Sequence, residues 1–482
     1  MKLLSATPKH LSDAMASLTS LKYLLGLRAF QYPRGKSGTV LSLIYLLILF
    51  CIFCVAANEQ HKFYAHIKLL KLEYVLYQLM VYVKAFFVTC EMVLSWFYTK
   101  RLNDCYRKIA QVDETLRQLG SMFSYREIYF LTIGIIIIWF LYNGILSIVL
   151  ILQLCVDTET TSWLMMDQIY GINISFIVVL EFTIFVKCLQ MKFKLVNELL
   201  SEGAALSTTE GMKLGLFAAE DYANMMDAKQ HKHILSIKVL SQVNRQLQSR
   251  IRSSILKKRN AVKSRTQSRL PSQLQKQFQM ELQSQSGSQT GDNSIRRSVI
   301  NAGCQQRRHL LQTIKQVHLE LCRVSKTLCS NFGMQIASEI AISIMYITGS
   351  LYNLYIHFMQ QKTNYNNSFL DEASVVITMG IIEVVKIIFI TRVCKNATNE
   401  GKKTTEIIHA IYKFCEDIEI QEEIQQFGLQ ISQSPVNFFA FGISLNYQVL
   451  STCLKTVTTY LVIMIQVSNS LESSKNIRET NY

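Results

Sequence analysis

Six ionisable residues sit where the chain is otherwise apolar. Lys84 and Glu91 fall in the block 74–98, Glu181 in 169–189, Glu339 in 332–359, and Glu383 with Lys386 in 374–393. A charge in such surroundings is costly against hydrocarbon, so each must face protein, water or an opposite charge. Glu383 and Lys386 are three apart and share a helix face, which allows a local ion pair. Pairs of this kind serve as helix-to-helix ties, as part of a ligand site, or as a coupling-ion relay. Catalysis is not indicated: the chain has no Walker loop, no G-x-S-x-G and no H-E-x-x-H. Cys51 and Cys54 form a C-x-x-C inside an apolar block, with no second pair and no His cluster beside it. They read as core or lipid-facing residues, so neither a metal site nor a disulfide framework follows. No cofactor and no enzyme activity is expected.

A second set combines aromatic rings with amides toward one end of the apolar blocks: Tyr77, Gln78 and Tyr82; Trp139, Tyr142 and Asn143; Tyr170 and Asn173; Tyr346 and Asn353. Tyr and Trp collect at membrane interfaces in any case. Asn and Gln are not interface anchors, and rings with amides at one depth suit a small polar organic ligand. With Glu383, these are the candidate ligand-binding residues.

The elements that must position them are membrane helices. The chain has 482 residues, half of them hydrophobic, a net charge of +16 and only 4 Pro. Its apolar residues come in blocks near the ~20 residues that span a bilayer as a helix. The blocks are 40–57, 74–98, 128–155, 169–189, 332–359, 374–393 and 445–467. The fold class is therefore all-α, a polytopic membrane protein with about seven transmembrane helices. Lys and Arg crowd the lead before the first block and the connections after the second and fourth, while VDTETTSWLMMDQ has neither. The basic side is the inner side, so the N-terminus is expected inside and the C-terminus outside. Asn366, in an expected outer loop, is a candidate glycosylation site.

The organisation that follows is a cytoplasmic lead (1–37), helices one to four (38–200), and a basic insertion (201–308). A cytoplasmic helix with spans five and six (309–394), anchor helices (395–444), the last span (445–467) and a short outer tail (468–482) complete it. The insertion is rich in Gln, Ser, Arg and Lys and poor in aromatics. Such a segment buries too little apolar surface to offset the entropy of ordering, so it is expected to be largely disordered. Its charge suits anionic lipid rather than nucleic acid. After it, Leu311, Ile314, Val317, Leu321 and Val324 mark one face of a helix leading into span five. TEIIHAIYKFCEDIEIQEEIQQF reads as one amphipathic charged helix before the last span.

The last span, NYQVLSTCLKTVTTYLVIMIQV, begins with amides and hydroxyls around Lys455 and turns apolar only after Thr459. Such a helix is a poor lipid-facing segment, and beside water it makes sense. A polar section lines a vestibule and an apolar section constricts it, because hydrophobic constrictions gate by dewetting. Thr459-Tyr460, five apolar residues and Gln466 resemble the C-terminal signature of insect gustatory receptors, T-Y, five hydrophobics and Q-F, with Val467 in place of the Phe. HLELCRVSKTLCSNFGMQI and FFAFGISLNYQ extend the resemblance. It implies a tastant-gated, non-selective cation channel in the plasma membrane, a homotetramer or a mixed tetramer with related receptors. The last helix of each subunit would line a central pore. Lys455, Thr459, Tyr460 and Ile463 would then face the pore, with Gln466 and Val467 at the gate. The implied partners are a small-molecule tastant, permeant cations and membrane lipids. The alternative is a secondary transporter using the buried charges as a relay, which would call for an inverted repeat and broken helices. A receptor without a channel, coupled to a cytoplasmic partner through the insertion, is the third.

Overall fold

The computed structural model of the chain describes residues 8–28, 39–66, 71–154, 158–213, 291–361, 369–414 and 417–480. It is built almost wholly of helix. Two short N-terminal helices, α1 (Leu11–Ala14) and α2 (Ala16–Leu24), precede α3 (Thr39–His66), α4 (Lys71–Gln118), α5 (Arg126–Leu154) and α6 (Thr158–Lys213). Then follow α7 (Gly291–Gln361), α8 (Phe369–Phe414), α9 (Ile418–Gln433), a two-stranded hairpin (β1, Phe439–Ala440; β2, Ile443–Ser444) and α10 (Tyr447–Thr480).

Six of the long helices are apolar enough over a sufficient length to cross a membrane: α3, α4, α5, α6, α7 and α10. The seventh expected span lies in α8, whose residues 376–393 carry Glu383, Lys386 and Arg392. Several helices are far longer than a bilayer needs. The 71 residues of α7 extend over about 105 Å at 1.5 Å per residue, against a hydrocarbon core of about 30 Å. The excess of α4, α6, α7 and α8 forms a second bundle beyond the membrane, where α9 packs against α7 and α8. The face marked by Leu311, Ile314, Val317, Leu321 and Val324 is buried there as its spacing requires. Ile420, Ile424, Phe427 and Ile431 of α9 form the facing stripe.

Five boundaries differ from the sequence reading, four of them ahead of the hairpin. The N-terminal lead is part of the core: Leu11, Ala14, Met15 and Leu18 are buried, and Lys22 reaches Glu181 of α6 at 2.5 Å. Its amphipathicity, weak in the sequence, serves to seat it against α5 and α6. Helix α6 begins at Thr158, so the stretch taken as an outer loop is already helical. The insertion carries helix at both ends, to Lys213 and from Gly291; residues 214–290 lie outside the described residues, as does Asn366. The single amphipathic helix before the last span is two, because the Asp417 carboxylate accepts the Glu419 backbone N–H at 3.0 Å and starts α9 afresh.

The hairpin before α10 turns through Phe441 (φ 47°) and Gly442 (φ 84°). Two successive positive φ values are what a tight two-residue hairpin with the native twist demands, and Gly at the second supplies one of them without strain. The hairpin lies on α7, where a Cβ at Gly333 would stand 3.4 Å from the Phe441 backbone nitrogen. From there α10 runs unbroken through Thr480, so the residues expected as an outer tail continue the last helix.

Candidate functional site

Most of the buried charges pair with one another across helices. Lys386 of α8 is the hub of the largest group. Its Nζ lies 2.9 Å from Glu339 Oε2 of α7, 2.6 Å from Glu383 Oε2 and 3.0 Å from Ser175 Oγ of α6. Ser175 donates to Glu339 Oε2 at 2.7 Å, and Ser343 donates to Glu383 at 2.6 Å. The local Glu383–Lys386 pair read from the sequence is present, but it is one edge of a three-helix network. Lys84 of α4 pairs with Asp167 of α6 and donates to Gln60 of α3 at 3.0 Å. Glu91 has no cation within ion-pair distance among the described residues; it accepts from Gln335 at 2.6 Å and from Ser338 at 3.5 Å. Beyond the apolar zone Lys192 of α6 pairs with Asp113 of α4, which also accepts the Tyr125 hydroxyl.

Asp167, Lys22 and Ser175 were missed as partners. Lys84 gave the signal for Asp167: a buried ammonium needs an acid, and Asp167 lies eight residues before Ser175 on a helical spacing. The sequence alone places it in a connecting loop.

The ring-and-amide candidates divide into separate places. Trp139, Tyr142 and Asn143 of α5 meet Asn173 of α6. The Trp139 indole stacks on Phe176 at 3.9 Å and 4° and donates through Nε1 to Asn173 Oδ1 at 2.9 Å. Asn143 donates to the Trp139 carbonyl at 2.9 Å, and its own Oδ1 is buried without a hydrogen-bond partner. Tyr142 packs against Trp139 with ring centroids 5.3 Å apart and donates to Met379 Sδ of α8 at 3.6 Å. It stands within electrostatic reach of Glu383. This cluster therefore adjoins the Lys386 network.

The remaining candidates lie elsewhere. Asn353 of α7 donates to the Tyr77 hydroxyl of α4 at 3.2 Å and leaves its Oδ1 unpartnered. Gln78 bridges Tyr74 at 3.0 Å and His61 at 3.3 Å. Tyr82 points outward, Tyr170 donates to the Leu25 carbonyl at 3.0 Å, and Tyr346 is half-buried against the core.

Among the residues of α10 whose side chains are described, Val449, Cys453 and Val457 alone are buried, one stripe at four-residue spacing. Lys455, Thr459, Tyr460, Ile463, Gln466 and Val467 are all exposed in the single chain. Among the described residues no cluster of His, Cys, Asp and Glu fits a metal ion.

A family model for the 7tm chemosensory receptors matches residues 17–259 and 265–469. The chain belongs to that family. Its relatives are gustatory receptors of Drosophila melanogaster. The chain is 23% identical to putative gustatory receptor 28b over 33% of its own length, and 22% identical to gustatory receptor for sugar taste 43a over 33%. It is 24% identical to gustatory receptor for bitter taste 66a over 35%. These alignments span about a third of the length of each relative (35%, 36% and 32%). Among solved structures, the insect olfactory receptor OR5 of Machilis hrabei, determined in complex with eugenol, superposes with a TM-score of 0.49 at 10% identity. That match covers 94% of this chain and 98% of the receptor. A multi-pass membrane receptor that is not an enzyme is thus established from the family and the helices together.

Proposed function

We propose that the protein is a tastant-gated, non-selective cation channel of the plasma membrane, four copies of the chain enclosing a pore lined by α10. The observation that carries this reading is the exposure of α10. One stripe holds it to its own chain, while Thr452, Lys455, Thr459 and Gln466 stand uncovered on a helix set among membrane spans. Hydroxyls, an ammonium and an amide facing lipid would be costly. Facing a water-filled axis shared with other copies, they are solvated. The buried charges support the channel over a transporter, because all but Glu91 are closed into ion pairs on helices that run unbroken, where carriers place their ion sites at interrupted ones.

The ligand site proposed within each chain is the cluster of Trp139, Tyr142, Asn143 and Asn173 beside Glu383. It combines a flat aromatic wall, an unpartnered amide oxygen and a nearby carboxylate, which suits a small organic molecule with hydroxyl or amine donors. Since one relative is named for sugar taste and another for bitter taste, the class is no narrower than that. The N-terminus is proposed inside, on the basic side.

The purified protein in a planar bilayer, challenged with sugars and bitter compounds, should carry current in the absence of any other protein. An intact, correctly inserted protein that stays silent across such a panel, while binding its ligand, would overturn the channel. Asn143→Ala should weaken activation by about fivefold through loss of a single hydrogen bond. Tyr77→Phe, in the separate group, should leave it unchanged.

A further inference from the structure

One turn past the membrane-crossing part of α4, a hollow of about 500 Å³ opens between α4 and α7. Arg101, Arg107, Lys108 and Lys326 line it, with Asp104 the lone acid. Asp104 is engaged by Arg107 at 3.0 Å. At the hollow's wall is Asn331, only 2% exposed. Its Nδ2 lies 3.8 Å from Cys105 Sγ, and its Oδ1 is buried without a hydrogen-bond partner. The volume falls in the range of sites that take small ligands, roughly 300–1,000 Å³.

The height of the hollow is as informative as its charge. Arg101 lies over the Tyr98 ring at 5.8 Å, and Trp96 precedes it. Aromatic rings followed by cations mark the headgroup level of a bilayer. Four cations at that level ask for more than one negative charge. The unpartnered carbonyl oxygen asks for a hydroxyl donor, which a bare phosphate diester of an ordinary lipid lacks.

We propose that this hollow binds a phosphorylated polyol: phosphomonoester groups held by Arg101, Arg107, Lys108 and Lys326, and a free ring hydroxyl donating to Asn331. Two sources carry that chemistry, a phosphoinositide lipid headgroup and a soluble inositol phosphate. The site touches the pore helix's mounting. Lys326 donates to Ser434 at 3.4 Å at the end of α9, and Gly333, two residues past Asn331, packs on the hairpin that leads into α10. Occupancy would thus stiffen the platform from which α10 rises.

The test measures binding of the purified full chain to three probes by native mass spectrometry: short-chain phosphatidylinositol 4,5-bisphosphate, short-chain phosphatidylserine, and inositol 1,4,5-trisphosphate. The bisphosphate lipid should bind far more tightly than phosphatidylserine. Equal binding of the trisphosphate would assign the soluble source, and weaker binding the lipid. Arg101→Gln with Lys326→Gln should weaken the preferred probe by roughly thirty-fold, at about a kcal/mol for each cation. Lys402→Gln with Lys403→Gln, which removes the same charge from exposed positions on α8, should not. Asn331→Leu should cost about fivefold for the polyol probes and nothing for phosphatidylserine. Equal losses from the two double variants, or no preference over phosphatidylserine, would overturn the proposal in favour of diffuse attraction to anionic surfaces. Should Asn331→Leu fail to fold, the two surface pairs alone decide.

Discussion

Helices α6 and α10 both cross the membrane and both carry polar residues within it, yet they meet opposite surroundings. Of the most apolar stretch of α6, 67% is buried inside the chain; of that of α10, only 17%. The buried carboxylates that α6 brings to membrane depth, and one of its hydroxyls, find their counterparts within the same chain. Glu181 has Lys22, Asp167 has Lys84, and Ser175 sits between Glu339 and Lys386. The hydroxyls of α10 instead fold back on their own helix. Thr452, Thr456, Thr458 and Thr459 each donate to the carbonyl four residues earlier, at 2.9 to 3.0 Å. A polar membrane residue therefore has two fates: closure inside the fold, where it ties helices together, or exposure on a helix that its own chain leaves largely uncovered.

The largest effects should come from breaking closure. Lys386→Met leaves Glu339 buried, and Glu383 half-buried, without a cation, and removing one partner of a buried pair costs about 3–5 kcal/mol. Folded protein at the surface should fall sharply, measured by size-exclusion fluorescence. Replacing both members of the other pair, Lys84→Met with Asp167→Leu, removes the charges together, so the double variant should recover most of what Lys84→Met alone loses. Equal damage from the single and the double variant would mean that the pair serves something other than mutual neutralisation.

That contrast also explains what the sequence disclosed. The helical class and the spans followed from the length of the apolar blocks, and the α7 face from Leu311 to Val324 from periodicity, because a core face repeats at helical spacing whatever lies opposite. The need of Lys84, Glu181 and Glu339 for partners was equally legible, since the cost of a charge in hydrocarbon is local. Which partner each takes was not. Lys22 counts as a loop charge in the sequence and Asp167 as a loop acid, and only the packing of α2 and α4 on α6 makes them counter-ions. For the same reason Trp139 and Asn173 could be named from type and depth, but their separation from Tyr77 and Asn353 could not.

The next effect in size belongs to the exposed region. Val467 is 42% exposed in the single chain, too open for a residue that merely fills its own core. With the proposed gate at this position, Val467→Phe should lower the current seen without ligand severalfold, because a larger apolar side chain closes more of the axis. Val467→Ser should raise it by easing wetting. Gln466→Ala should change conductance or ion preference while leaving expression intact. Unchanged resting current in both position-467 variants, at normal surface level, would remove the residue from the gate.

The smallest effect lies where the two regions join, in the bundle that carries the base of α10. Glu423 of α9 accepts from Gln312 at 2.6 Å and from Lys315 at 2.8 Å, with Arg308 Nε at 3.6 Å. The Lys315 ammonium foremost, then the Gln312 amide, hold its carboxyl below the usual glutamate range. A carboxyl more acidic in the folded chain than in the unfolded one stabilises the fold fully above its unfolded pKa of about 4.3. That contribution is lost as pH falls through the lower, folded value. With the Lys315 side chain 21% exposed, the pair contributes about 1 kcal/mol or less. Glu423→Gln should therefore melt slightly below the unaltered protein at pH 6 to 8, by a margin that does not vary across that window. The margin should close as the pH drops below about 4.3. A difference that persisted in acid would show that Gln fails here by shape rather than by charge.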